Sequence, residues 1–247
     1  MPPPALVTPE DAVALLLRQY GSAKSFKVSG KIEARLPGEK RRRPASLVLM
    51  LERPDKLRMR VYRPLAPPVF ELVSDGEQCW LFIPSTKTAY YSEGCEPLYM
   101  GDNPVPFSAE TIIAAVTVLA DPAAFAAMPA VIREEEGLAR LTLAEKTGAK
   151  REIWIDATTG LAARQLLFYA DGGIKADITY RKHAVEGDVP VPVAIEVAFP
   201  QASSSVFLRM DSFRLNPEIP AGAFEFSPPG NTTIICPHGE NQHVSPE

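Results

Sequence analysis

Between Leu47 and Tyr91 the chain runs through five short apolar segments, each of strand length and each closed by turn residues. Leu57, Met59 and Val61 alternate with Arg58, Arg60 and Tyr62, the period of two that puts apolar side chains on one face of a strand. Asp75-Gly76 separates VFELVS from CWLFI, a strong short-range hairpin signal. A second turn around Pro84-Ser85-Thr86-Lys87 leads into TAYYS. Such a run has few ways to bury its apolar side chains. It predicts an antiparallel meander.

The flanking segments extend the pattern. Thr8-Pro9-Glu10-Asp11 reads as a capped helix start, with Val13, Leu16, Leu17 and Tyr20 at helical spacing and Gly21 at the end. Ser108 opens a second helix, SAETIIAAVTVL, and Asp121-Pro122 a short third one through Met128. FKVSGKIEARL precedes the central meander. A second meander runs from PAVIREE to IKADITYRK, followed by VAIEVAFP and SSVFLRMDSFRL. Glu136-Gly137, Thr147-Gly148, Thr158-Thr159-Gly160 and Asp171-Gly172-Gly173 separate its strands, all turn chemistry. The 25 prolines fall mainly between apolar runs, which suits strands and ordered loops.

The expected fold class is therefore α+β, a single large curved antiparallel sheet of about eleven or twelve strands. A sheet of that size curls, and one that stays open encloses a concave space. Helices over its mouth would make an apolar pocket. One domain is expected over 1–235, with 236–247 as a polar, disordered tail.

Several function classes are disfavoured. A formal charge of −4 lacks the basic field that nucleic-acid binding needs. No segment reaches membrane-spanning length, the most apolar run being Ile112 to Ala120. There is no Gly-x-Ser-x-Gly, Walker loop, His-Glu-x-x-His or Cys-x-x-Cys, so no enzyme, cofactor or metal is expected. His183 follows Arg181-Lys182 at a strand end and reads as solvated; Glu134-Glu135-Glu136 reads as a hairpin corner. Lys40 to Arg43 reads as a solvated basic loop, with docking to an acidic partner or anionic lipid as the less favoured alternative. Cys79 and Cys95 would pair only in an exported protein, and Cys79, beside Trp80 in a strand, is as readily a buried thiol.

Three stretches resemble the bacterial lipoprotein-localisation superfamily, which includes the periplasmic carrier LolA and the outer-membrane receptor LolB. LERPDKLRMRVYRP with ELVSDGEQCWLFIPSTKTAYY is similar to LolA's strand, Arg-Pro turn, strand and Leu-Val-Ser-Asp-Gly hairpin. PVPFSAETIIAAV resembles the loop and lid helix that follow, and GAFEFSPPGNTTII the closing phenylalanine-rich strand and Pro-Pro turn. The resemblance implies an acyl-binding pocket lined by inward residues: Leu49, Leu57, Met59, Val61, Leu72, Trp80, Phe82, and Ile112 and Val116 from the lid.

It also implies two special residues. Arg53 stands where the LolA arginine bonds lid-helix carbonyls and holds the empty pocket closed. Leu65, in Arg63-Pro64-Leu65-Ala66, stands where a LolB loop leucine enters the lipid. The implied partners are an acylated lipoprotein or lipid, with contact to a membrane surface, and a monomer is expected. The implied location is the periplasm or the periplasmic face of the outer membrane. Met1 is followed by three prolines with no export pattern, so the gene is expected to encode a signal peptide or lipid anchor ahead of Pro2. One chain carrying a LolA-like arginine and a LolB-like leucine leaves carrier and receptor open, with a lipid- or lipoprotein-sensing module as the alternative.

Overall fold

The computed structural model describes residues 8–35, 37–38, 42–93, 99–100, 103–104, 108–135, 137–145, 148–236 and 242–243. The chain opens with α1 (Pro9–Tyr20), where the Thr8 hydroxyl accepts from Asp11 N and the Asp11 carboxylate accepts from Thr8 N, a reciprocal cap. Then come β1 (Ser25–Arg35), β2 (Arg43–Glu52), β3 (Lys56–Tyr62), β4 (Pro68–Asp75), β5 (Gln78–Ile83) and β6 (Thr88–Glu93). A two-residue pair, β7 (Tyr99–Met100) and β8 (Asn103–Pro104), precedes α2 (Ala109–Thr117) and α3 (Pro122–Ala126). The second meander is β9 (Ala130–Glu135), β10 (Leu138–Ala144), β11 (Lys150–Asp156), β12 (Ala162–Phe168), β13 (Ile174–Glu186), β14 (Val189–Phe199) and β15 (Ser204–Leu215). Two short strands follow, β16 (Thr233–Ile235) and β17 (Gln242–His243).

All but β7 and β8 belong to one sheet of 15 strands, ordered β17-β16-β6-β5-β4-β3-β2-β1-β15-β14-β13-β12-β11-β10-β9. Each meander folds back on itself strand by strand. The long-range closure is β15 against β1, which joins the two halves from Phe26↔Leu215 to Arg35↔Ser205. Neighbours are antiparallel except β16, which adds parallel to β6. The two ends of the sheet, β17 and β9, do not meet, so it is an open curved sheet. The count exceeds the sequence expectation partly because β16 and β17 are two- and three-residue strands, too short to carry a period.

Curvature is built in by register shifts at Ser29/Gly30, Val61/Tyr62, Trp154/Ile155, Leu167/Phe168 and around Lys182. Gly30 is required at the first of these, because a Cβ there would lie 2.1 Å from Arg209 O.

The helices lie on one face, here the inner face. From α1, Leu15, Leu16 and Tyr20 enter the core, which Leu49, Leu51, Leu57, Leu72, Ile153 and Ile195 build from the sheet. In α2 every residue but Glu110 is buried. The outer face is polar over most strands. Residues 217–232 cross it from the end of β15 to the β6 edge: Arg58 donates to Ala223 O and Glu225 O, and Phe226 packs on Trp80 and Phe82. His183 is not solvated. It lies half-buried under the end of α1, Nε2 3.4 Å from Tyr20 Oη, because β13 continues past its pairing with β12 and Tyr20 fills the space. Cys79 is buried in the core, while Cys95, Lys40 and Arg41 lie outside the described residues.

Candidate functional site: a latched helix over an apolar cavity

The α2 helix starts at Ser108, whose hydroxyl accepts from Thr111 N at 3.2 Å, and stops at Val118, which turns to φ 63°. That abrupt stop leaves the carbonyls of its last turn without intrahelical partners. The sheet supplies two of the replacements. Arg53 Nη2 donates to Thr117 O at 3.1 Å, while Nη1 of the same guanidinium donates to Ala23 O. From the opposite half of the sheet, Tyr180 donates to Ala114 O at 3.2 Å. The same hydroxyl also lies 3.0 Å from Gln165 Oε1, a second acceptor for its single proton.

Burial sets the chemistry of these groups. It lowers the Arg53 pKa to about 10, still charged at neutral pH, with the guanidinium 4.9 Å above the Phe26 ring. Arg53 Nε is buried and, among the described residues, has no hydrogen-bond partner, so the side chain is held by its two terminal nitrogens and the ring. Burial pushes the Tyr180 phenol far above the usual tyrosine range, so it stays a neutral donor. At the other end of α2, burial raises the Glu110 carboxyl but Lys175, at 2.5 Å, and Arg151 outweigh it and hold it ionised. Helix α2 is thus tied at its first turn and at its last.

Beneath it lies a cavity of about 70 Å³ whose exposed lining is wholly apolar. Ile32 and Ala34 of β1, Met59 of β3, Phe70 of β4, and Ile112 and Ala115 of α2 surround it, with β14 and β15 closing the side. It sits toward one end of the sheet. At that end the β3–β4 loop carries Leu65, whose side chain is fully exposed, with φ at 60°.

Of the residues expected in the pocket, Met59 and Ile112 line the cavity. Leu49, Leu57, Val61, Leu72 and Val116 lie in the same core without reaching it. Trp80 and Phe82 face the other way. In β5 it is Cys79 and Leu81 that point inward, Leu81 opposite Leu72, while Trp80 stacks on Tyr91 at 4.5 Å and on Phe226. The size of the two aromatics suggests the opposite phase, and only the segment covering them outside explains their burial. The β1 lining was legible as alternation. The β14 and β15 lining was not, because nothing local tells that β15 lies beside β1.

Among the described residues no three His, Cys, Asp or Glu gather as metal ligands. No family model matches the sequence, and no curated protein does. The architecture, by contrast, is found among solved structures. A LolA superfamily protein from Nitrosomonas europaea superposes with TM-score 0.62 over 89% of this chain and 98% of its own, at 12% identity. A DUF1329 family protein from Desulfovibrio piger gives 0.63 over 88% and 95%, also at 12% identity. A domain assigned to outer membrane lipoprotein sorting, from Vibrio parahaemolyticus, gives 0.58 over 90% and 97%, at 13%. This chain has the LolA fold. The elements of the LolA-like sheet and its helix are those on which Arg53, Leu65 and the cavity stand.

Proposed function

We propose that this LolA-like protein binds lipid acyl chains between its sheet and α2, and serves lipoprotein transport at the outer membrane as a carrier or receptor. The observation that supports this best is the wholly apolar cavity under a helix whose end carbonyl is held by Arg53. At about 70 Å³ the closed cavity is less than half of the ~150 Å³ that admits benzene, so an acyl chain enters only if α2 moves. The energetics allow it. Roughly half a dozen methylenes at about 0.8 kcal/mol each offset three ties of about 1–1.5 kcal/mol apiece.

The test is native mass spectrometry after incubation with a fatty-acylated peptide, on the wild type and on Arg53→Ala. Adducts are expected for both, with the variant loading several-fold faster because its lid is freed at one end. Trp80 and Trp154 sit on the outer face, so displacement of an apolar dye is the matching solution readout. A folded protein that gives neither adduct nor dye displacement, in either form, refutes the acyl pocket.

A further inference from the structure

Strand β2 presents Val48 and Met50 on the outer face, at the floor of a groove of about 650 Å³ that opens toward Ala66 and Pro68. The register fixes what stands on either side. On β3, Arg58 lies opposite Met50 and Arg60 opposite Val48; on β1, Lys27 lies opposite Met50 and Lys31 is the next outward residue but one. Beyond β1 come two further cations, Arg214 directly across from Lys27 and Arg209 directly across from Lys31. Lys27, Lys31, Arg209 and Arg214 are all exposed.

Like charges set directly opposite on paired strands oppose sheet stability, and here two such pairs adjoin. Little cancels them. Buried Glu71 is shared by Arg58, at 2.6 Å, and Arg60, at 3.0 Å, and Asp211 sits 3.6 Å from Arg209. Lys31 donates only to the Ser46 hydroxyl, and among the described residues no acid pairs with Lys27, Lys31 or Arg214. The acids at the two ends of the groove are Glu52, already paired with Lys56, and Glu33. In a chain of net charge −4 this strip is locally strongly positive.

We infer that the outer groove over β2 is a docking site for an acidic, extended segment of a partner protein. Its alternate apolar side chains would lie on Val48 and Met50, and its carboxylates would meet the lysines of β1 and the arginines of β3. The neighbouring strands already carry a segment in this manner. Residues 217–232 cross β3 to β5 through turns at 221–224 and 230–231, with Ala223 O and Glu225 O accepting from Arg58 and Phe226 seated on Trp80 and Phe82. The groove over β2 has the same ingredients and, among the described residues, no such cover. A partner's charge would also remove the repulsion within the two like-charge pairs, so the face is electrostatically incomplete without one. The site is on the opposite side of the sheet from the cavity, and this inference does not depend on acyl binding.

The experiment is fluorescence anisotropy with a labelled, end-capped octapeptide of alternating glutamate and valine, beside its glutamine-valine counterpart. The glutamate peptide is expected to bind, weakening about tenfold between about 50 and about 300 mM salt, and the glutamine peptide to bind at least about tenfold more weakly. Lys31→Glu with Arg209→Glu should abolish binding while leaving acyl loading at the wild-type level. Lys27→Gln with Arg214→Gln, which only neutralises, should weaken it several-fold and serves if the reversal variant does not fold. Equal binding of both peptides, or glutamate-peptide binding that neither pair of substitutions alters, overturns the proposal. So does charge-dependent binding to phosphatidylglycerol vesicles without peptide binding, which would assign the face to a membrane.

Discussion

Leu65 is held in a conformation that costs a branched side chain energy. Its φ of 60° lies in the left-handed region, its side chain touches water on all sides, and Pro64 before it and Pro67-Pro68 after it stiffen the turn. Leu65→Gly should therefore raise the thermal midpoint by a few degrees, since glycine adopts this φ freely, about 1 kcal/mol in relief. The same substitution should weaken association with liposomes, measured by flotation, if the loop enters lipid as the resemblance to the lipoprotein-localisation superfamily implies. A fall in the midpoint would show that the side chain packs in solution, and unchanged flotation that the loop does not meet the bilayer. Legibility in the sequence differs sharply among single residues. Arg53 and Leu65 were singled out by the resemblance to the lipoprotein-localisation superfamily, and the prolines around Leu65 fit its exposure. Trp80 and Phe82 were misassigned because hydrophobic size does not reveal which face of a strand is which.

Among the elements, α2 is the one on whose position the proposed acyl binding depends. Its own sequence makes it apolar all round, which demands burial, but its hold on the sheet comes from three distant side chains: Arg53, Tyr180 and Lys175. They approach from both halves of the sheet, so the helix spans the seam where β1 meets β15. Tyr180→Phe removes a hydroxyl while keeping the ring, and leaves Ala114 O unsatisfied. It should lower stability by about 1–2 kcal/mol and raise hydrogen exchange of α2 amides selectively. Exchange that rises equally over β10–β12 would instead mean that Tyr180 supports the sheet as a whole and does not act on the lid.

Across the molecule, one half-buried imidazole ties α1 to the long hairpin β13–β14 and should make stability depend on pH. Burial lowers the His183 pKa below its ordinary 6.5, so the unfolded chain takes up a proton at a higher pH than the folded one does. Stability is then full above about pH 6.5 and is lost as pH falls toward the depressed folded value. Thermal unfolding between pH 7.5 and 5 should show this decline, and His183→Gln should flatten it. The acids whose pKa is depressed, Glu110, Asp156 and Glu196, lose their contributions only lower, below the ordinary carboxylate range, so the two windows separate. A decline that persists undiminished in His183→Gln would place its source elsewhere.

Local rules in the chain were enough to specify the longer strands, the capped starts of all three helices, the α+β class and an open sheet. Alternation, turn residues and caps act between near neighbours and are written directly in the residue order. What they could not specify was the pairing of β15 with β1 and the parallel addition of β16 to β6. Nor could they place residues 217–232 on the outer face. Each of these joins residues far apart in sequence, where no periodic signal links one segment to another. The cavity inherits that limit. Its β1, β3 and α2 walls are foreshadowed by alternation, but its volume, the phase of β5 and the Tyr180 tie to Ala114 exist only once the two meanders close against each other.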